Sequence, residues 1–131
     1  MRKSPKILAA LAGASALAVA ATLLPVGAGA STTAPAPARL QVTEKEYSLT
    51  LSRLRVHTGQ AIVQVLNFGM DNHDLVIQSN AKGSTPIRFP QLGPGAHATK
   101  TLKLPPGKYT MWCSISGHKA LGMVAPLTVT K

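Results

Sequence analysis

Three side chains able to hold a soft metal ion recur at even intervals near the C-terminus. Cys113, His118 and Met123 are each separated by four residues, within Trp112-Cys113-Ser114-Ile115-Ser116-Gly117-His118-Lys119-Ala120-Leu121-Gly122-Met123. Thiolate, imidazole and thioether together suit copper better than zinc, which seldom takes a thioether. A fourth ligand must come from elsewhere in the chain. His73 is the best placed, in Asn72-His73-Asp74-Leu75-Val76-Ile77, just ahead of an apolar run. Two His and one Cys in a trigonal set with a weak axial Met make a copper site for one-electron transfer. A lone thiol also needs an explanation in a chain with no second Cys to pair with, and metal binding supplies one.

Such a site needs rigid elements behind it. Leu40, Val42, Tyr47, Leu49 and Leu51 alternate with Ser48, Thr50 and Ser52, the mark of half-buried strands. Leu54 to Val56 prolongs that run, and His57-Thr58-Gly59-Gln60 reads as a turn. Ala61 to Leu66 is apolar and rich in branched side chains, as in a central strand. A loop over Asn67 to Asn72 then delivers His73 to the head of a strand over Asp74 to Gln78. Residues 79–95 hold three Pro and three Gly and read as mostly loop. Strands are expected from about Ala98 to Leu104 and from Lys108 to Cys113, separated by the tight turn Pro105-Pro106-Gly107. Val124 to Thr130 closes the chain, with Pro126 implying an edge or bulge near its start. No long 3.6-residue apolar period interrupts this series of about seven short strands. The fold class expected is an all-β, antiparallel sandwich with Greek-key connections.

The N-terminus reads as an export segment. Arg2, Lys3 and Lys6 precede an uncharged apolar run from Ile7 to Leu24, and Ala28-Gly29-Ala30 fits a cleavage site before Ser31. The domain organisation expected is therefore a signal peptide over 1–30, an Ala/Pro-rich flexible lead over 31–38 and a copper-binding domain over 39–131. The protein is expected outside the cytoplasm, secreted or periplasmic, or membrane-tethered if the apolar run, just long enough to span a bilayer, is retained. Removing three basic residues from fourteen leaves eleven against four acidic ones, a net charge of +7. That charge steers the chain toward anionic partners such as an acidic redox protein or an anionic cell envelope. Nucleic acid fits poorly, because no basic run is interleaved with stacking aromatics. A monomer is expected.

The stretch Tyr109-x-x-x-Cys113-x4-His118-x4-Met123, preceded by Pro-Gly-Lys-Tyr and by an upstream His-Asp-Leu, resembles the cupredoxins, the small blue-copper proteins. The resemblance covers roughly residues 39–131, and the loop spacing is most like that of the rusticyanin and sulfocyanin branch. It implies one type 1 copper ion, with His73, Cys113 and His118 as strong equatorial ligands and Met123 as the weak axial one. It also implies that the edge of His118 is exposed within an apolar patch, for which Ala120, Leu121, Met70 and Pro94 are the candidates. Two positions depart from the family pattern. Asp74 stands where Asn often follows the first His, and Ala125-Pro126 replaces a Gly common after the Met.

The function expected is an exported carrier of single electrons between redox partner proteins. The alternative is an exported copper carrier or chaperone that delivers the ion to another protein. A copper enzyme is disfavoured, because further copper ions would need paired His-x-His ligands and the sequence has no such pair. His57 and His97 lack partners at ligand spacing and read as ordinary polar residues. Met70 and Met111 read as packing residues, and Trp112 should point away from the metal by strand alternation.

Overall fold

A computed structural model describes residues 34–131. The export segment expected over 1–30 and the start of the Ala/Pro-rich lead lie outside the described residues. Strand β1 spans Ala38–Lys45, so the extended lead gives way to a strand at its last residue. Eight more strands follow: β2 (Ser48–Leu51), β3 (Arg55–His57), β4 (Gly59–Asn67), β5 (Val76–Ser79), β6 (Ile87–Arg88), β7 (His97–Leu104), β8 (Gly107–Trp112) and β9 (Val124–Thr130). They form a four-stranded sheet in the order β2-β1-β4-β7 and a five-stranded sheet in the order β3-β9-β8-β5-β6.

The all-β sandwich expected from the sequence is present, with one modification. Most pairings are antiparallel, but β1 runs parallel to β4 and β3 parallel to β9. The first matters for the site. Its register sets Leu40 beside Val63, Val42 beside Val65 and Glu44 beside Asn67, so both strands end at the same edge of the sheet.

Side-chain alternation builds the core. Ala61, Val63 and Val65 of β4 are fully buried, with less buried residues between them. Leu40 and Val42 from β1 join them, and Tyr109, Met111, Leu127 and Val129 enter the same cluster from the other sheet. Burial of this kind stabilises by roughly 25 cal/mol per Å² of apolar surface, which makes the sandwich a stiff support for the loops at its ends. Tyr109 keeps its polar end satisfied by donating its hydroxyl to the Pro105 carbonyl at 2.8 Å. Pro126 lies in β9 opposite Thr110 of β8, and on the other side β3 joins only from Thr128 onward. Thr128, two residues on and of the same parity, donates its N–H to Leu54. The missing Pro126 N–H therefore faces a side with no partner strand there, which is the edge character its position implied.

Three expectations change. Tyr47 does not continue the inward row of Leu49 and Leu51: it sits in the turn between β1 and β2 and is 36% exposed. Gly59 and Gln60 begin β4 rather than forming a turn. Met70 is not a packing residue but is 82% exposed, whereas Met111 is fully buried as expected.

Candidate metal centre

The ends of β1, β4 and β8 and the start of β9 lead into the segments that carry the site. His73 follows the loop after β4 and is pinned by a two-way backbone bridge with Leu92: His73 N–H donates at 3.0 Å and Leu92 N–H returns a bond at 2.6 Å. Buried Asn67, the last residue of β4, organises that loop. Its amide donates to the carbonyls of Asp71 at 2.7 Å and Leu92 at 2.9 Å, while its side-chain oxygen accepts from Gly69 N–H at 2.8 Å. An interior Asn with every polar group paired holds a fixed geometry, whereas an unpaired one would cost about 1–3 kcal/mol.

Cys113 directly follows β8, and Met123 directly precedes β9. The loop between them closes on itself. Cys113 N–H donates to the Met123 carbonyl at 3.1 Å, and Met123 N–H donates to the His118 carbonyl at 3.1 Å. Gly117 and Gly122 adopt φ of +84° and +110°, a left-handed backbone that only glycine takes at low cost. Four residues between successive ligand candidates suffice because these two positions turn the chain sharply.

The structure brings His73, Cys113 and His118 together. Their nearest donor atoms all lie within 4.8 Å of one another. His73 Nδ1 is 3.2 Å from His118 Nδ1, and Cys113 Sγ is 3.5 Å from His118 Nδ1. Donors sharing one first-row ion at bond lengths of about 2.0–2.3 Å stand roughly 3.3–3.8 Å apart, so the sulfur spacing falls within that range and the nitrogen spacing at its lower edge, as a common metal requires. His73, Cys113 and Met123 are fully buried and His118 is partly so. The two His rings meet edge to face, with centroids 5.2 Å apart. A soft thiol and two imidazole donors in a largely buried, preformed cluster fit copper.

Surrounding groups hold these donors in place. Asp74 N–H points at Cys113 Sγ from 3.5 Å, and the Asp74 carboxylate accepts from both the N–H and the hydroxyl of Ser114. Aspartate thus spans from the first His to the residue after the thiol. Asp74→Ala is expected to cost the metal-free protein about 1–2 kcal/mol, since charge-assisted bonds near solvent are worth less than buried ones; denaturant unfolding measures it. Burial pushes the Cys113 thiol above its ordinary pKa, with Asp74's negative charge adding to the rise and the N–H groups of Asp74 and Ile115 opposing it. An incoming metal must therefore displace a proton from sulfur.

Two residues of the β1–β2 turn complete the site, and neither stands at ligand spacing. The Tyr47 ring packs on His118 at a centroid distance of 4.9 Å and an interplanar angle of 71°. Glu46 accepts from the N–H groups of Met70 and Asp71 and lies 3.3 Å from His73 Nε2. Those backbone donors, Asp71 foremost, hold its carboxyl down to about 2. The four acidic residues of the chain, Glu44, Glu46, Asp71 and Asp74, fall in two short stretches that only the fold brings together.

Other expectations are placed as follows. His57 sits 3.4 Å from the Thr130 hydroxyl, and neither His57 nor His97 joins the cluster. Trp112 is half-buried with the Lys119 ammonium 4.4 Å from its ring centroid. Of the apolar patch expected around His118, Ala120, Leu121, Met70 and Pro94 are all exposed, and Phe68 on the same loop as Met70 is exposed as well.

No protein-family model matches the sequence, and no curated protein matches it by sequence. Solved structures do match its shape. A dithionite-reduced auracyanin from the photosynthetic bacterium Roseiflexus castenholzii aligns with a TM-score of 0.58 at 21% identity, over 74% of this chain and 100% of that one. Auracyanin A, a "blue" copper protein from Chloroflexus aurantiacus, aligns with a TM-score of 0.57 at 15% identity, over 72% and 100%. Rusticyanin from Thiobacillus ferrooxidans aligns at 0.53 and 18% identity, over 72% and 79%. A multicopper oxidase is also similar, at 0.57 and 11% identity, but this chain covers only 45% of it. The chain has the cupredoxin fold, with His73, Cys113 and His118 gathered into a group that could hold a metal ion and Met123 buried at the end of the loop that carries Cys113 and His118.

Proposed function

We propose that the protein is an exported type 1 copper protein that carries single electrons between redox partners, with His73, Cys113 and His118 as equatorial ligands and Met123 as the axial one. The convergence of the two Nδ1 atoms and the thiol at 3.2 and 3.5 Å supports this reading most directly. Bound copper would supply a one-electron couple between its two common oxidation states. The chain's own part is to keep the donors still. Backbone bonds fix His73 to Leu92 and Cys113 to Met123, so little reorganisation accompanies a change of charge. Full burial of His73, Cys113 and Met123 keeps water from the sulfur donors. His118, partly exposed, is the ligand through which a partner would exchange an electron.

Met123→Leu tests the axial role. The variant is expected to keep the intense thiolate-to-copper colour and to show a raised reduction potential, measured by spectroelectrochemistry, because a weak donor has been removed. An unchanged potential would take Met123 out of the site.

Copper delivery is the alternative. His73 and Cys113 are buried and tied down by backbone hydrogen bonds to Leu92 and Met123, which favours retention of an ion over its release. Repeated oxidation and reduction separates the two functions. A carrier cycles reversibly with one copper per chain, whereas metal loss on each reduction would assign the chain to copper delivery. Export is proposed from the N-terminal sequence, and anionic partners from the +7 charge of the segment after residue 30. Among the described residues, no helix is long and apolar enough to cross a membrane.

A further inference from the structure

His73 presents Nδ1 to the site, so its remaining nitrogen determines which tautomer the ring adopts. Nε2 lies 3.3 Å from Glu46 Oε1, slightly beyond the usual range of about 2.7–3.2 Å for N–H to O, and that oxygen is the one hydrogen-bond partner it has among the described residues. The carboxylate is itself held. The same Oε1 accepts from Met70 N–H and, at 2.7 Å, from Asp71 N–H. Gly69 makes room for it, since a Cβ at that position would collide with the Glu46 carboxylate. The parallel register of β1 and β4 explains why a residue 27 positions away reaches His73: Glu44 lies beside Asn67, so the turn after β1 meets the loop after β4.

We propose that Glu46 is a positioning residue for His73, its carboxylate accepting the Nε2 proton so that Nδ1 is left bare and aimed at Cys113 and His118. A carboxylate behind a ligating imidazole fixes the ring's orientation and raises its basicity, and losing such a partner typically costs 10–100-fold in metal affinity. Nothing in the ligand spacing of Cys113, His118 and Met123 requires Glu46. The effect on a bound ion rests on the copper reading above, but the tautomer of His73 does not.

The test therefore begins with metal-free protein. Two-bond nitrogen–proton correlation spectra report which His73 nitrogen carries the proton. Wild type is expected as the Nε2–H form, and Glu46→Ala should lose that preference. Copper(II) affinity, measured by competition with a chelator, is expected to fall about 10–100-fold in Glu46→Ala and by a smaller factor in Glu46→Gln, which retains an acceptor oxygen but no charge. The reduction potential should rise in both, and in Glu46→Gln, which keeps the size of the side chain, it should rise with the Tyr47 ring still packed on His118. Gly69→Ala should weaken copper binding by displacing the carboxylate, and should add nothing in a Glu46→Ala background. If Glu46→Ala does not fold, the potential of Glu46→Gln decides: a rise supports the proposal and an unchanged value overturns it. An Nδ1–H tautomer in wild type, or an Nε2–H tautomer unchanged in folded Glu46→Ala, also overturns it. Failure of wild type to bind copper would instead remove the electron-carrier reading and leave the tautomer result standing.

Discussion

Cys113→Ser is expected to abolish the intense visible absorption of the copper-loaded protein while leaving the sandwich folded. In the proposed site the Cys113 thiolate would be the sulfur donor responsible for charge transfer to copper, and a hydroxyl does not replace it as a soft ligand. Copper(II) affinity should fall by at least about 100-fold, the upper end of what is lost when only an outer-shell partner is removed. The fold should survive, because the backbone bond from residue 113 to Met123 does not involve sulfur and a serine oxygen also accepts from Asp74 N–H. Absorption, metal stoichiometry and far-ultraviolet circular dichroism of the variant check all three points. A variant that keeps its intense colour would show that Cys113 is not the ligand.

The second large effect concerns Glu44. It is fully buried in β1, neither carboxylate oxygen has a hydrogen-bond partner, and burial, with a smaller contribution from the charge of Asp74, raises its pKa from 4.5 to about 7. The folded protein therefore binds a proton more tightly than the unfolded chain, and stability falls as pH rises between these two values. The difference of about 2.5 pH units corresponds to about 3 kcal/mol, fully lost above pH 7. Glu44→Gln removes the ionisation. Metal-free wild type and variant should respond alike near pH 4.5 and diverge toward pH 8, where the variant should melt on the order of 10 °C higher or more relative to wild type. Glu46 acts with the opposite sign and in a different window. Its lowered pKa contributes stability that is present above pH 4.5 and lost as the pH falls toward 2. The histidines are common to both proteins, so the difference between the two curves isolates Glu44. Parallel melting curves from pH 4.5 to 8 would mean that residue 44 does not titrate in this window.

Much of this arrangement is legible in the sequence because the relevant signals are local. Alternation across Leu40 and Val42, the branched run from Ala61, and the stretch from Val124 to Thr130 each mark a strand, because burial of every second side chain leaves a period of two. The nearness of Cys113 and His118 is legible because they share one short loop between two strand ends, whereas His73 reaches them from the separate loop after β4. What was not legible depends on pairing between distant segments. Parallel pairing of β1 with β4 leaves no turn signal, and without it nothing connects Glu46 to His73. The parity of Tyr47 with Leu49 and Leu51 points it inward, yet a turn interrupts the strand there and sends its ring onto His118. Methionine usually packs in a core, but the Asn67-anchored loop turns Met70 to solvent. Asp74 was visible as a departure from the family pattern. Its partner Ser114 lies forty residues away, and only the fold brings them together.

The most direct test of the central claim is the combined absorption and electron paramagnetic resonance spectrum of the purified protein loaded with one equivalent of copper(II). A Cys113 thiolate with two Nδ1 donors and a distant thioether predicts a strong blue band and narrow copper hyperfine splitting. A pale or colourless protein that is folded, holds copper and shows wide hyperfine splitting would contradict the type 1 assignment, and with it the electron-carrier function.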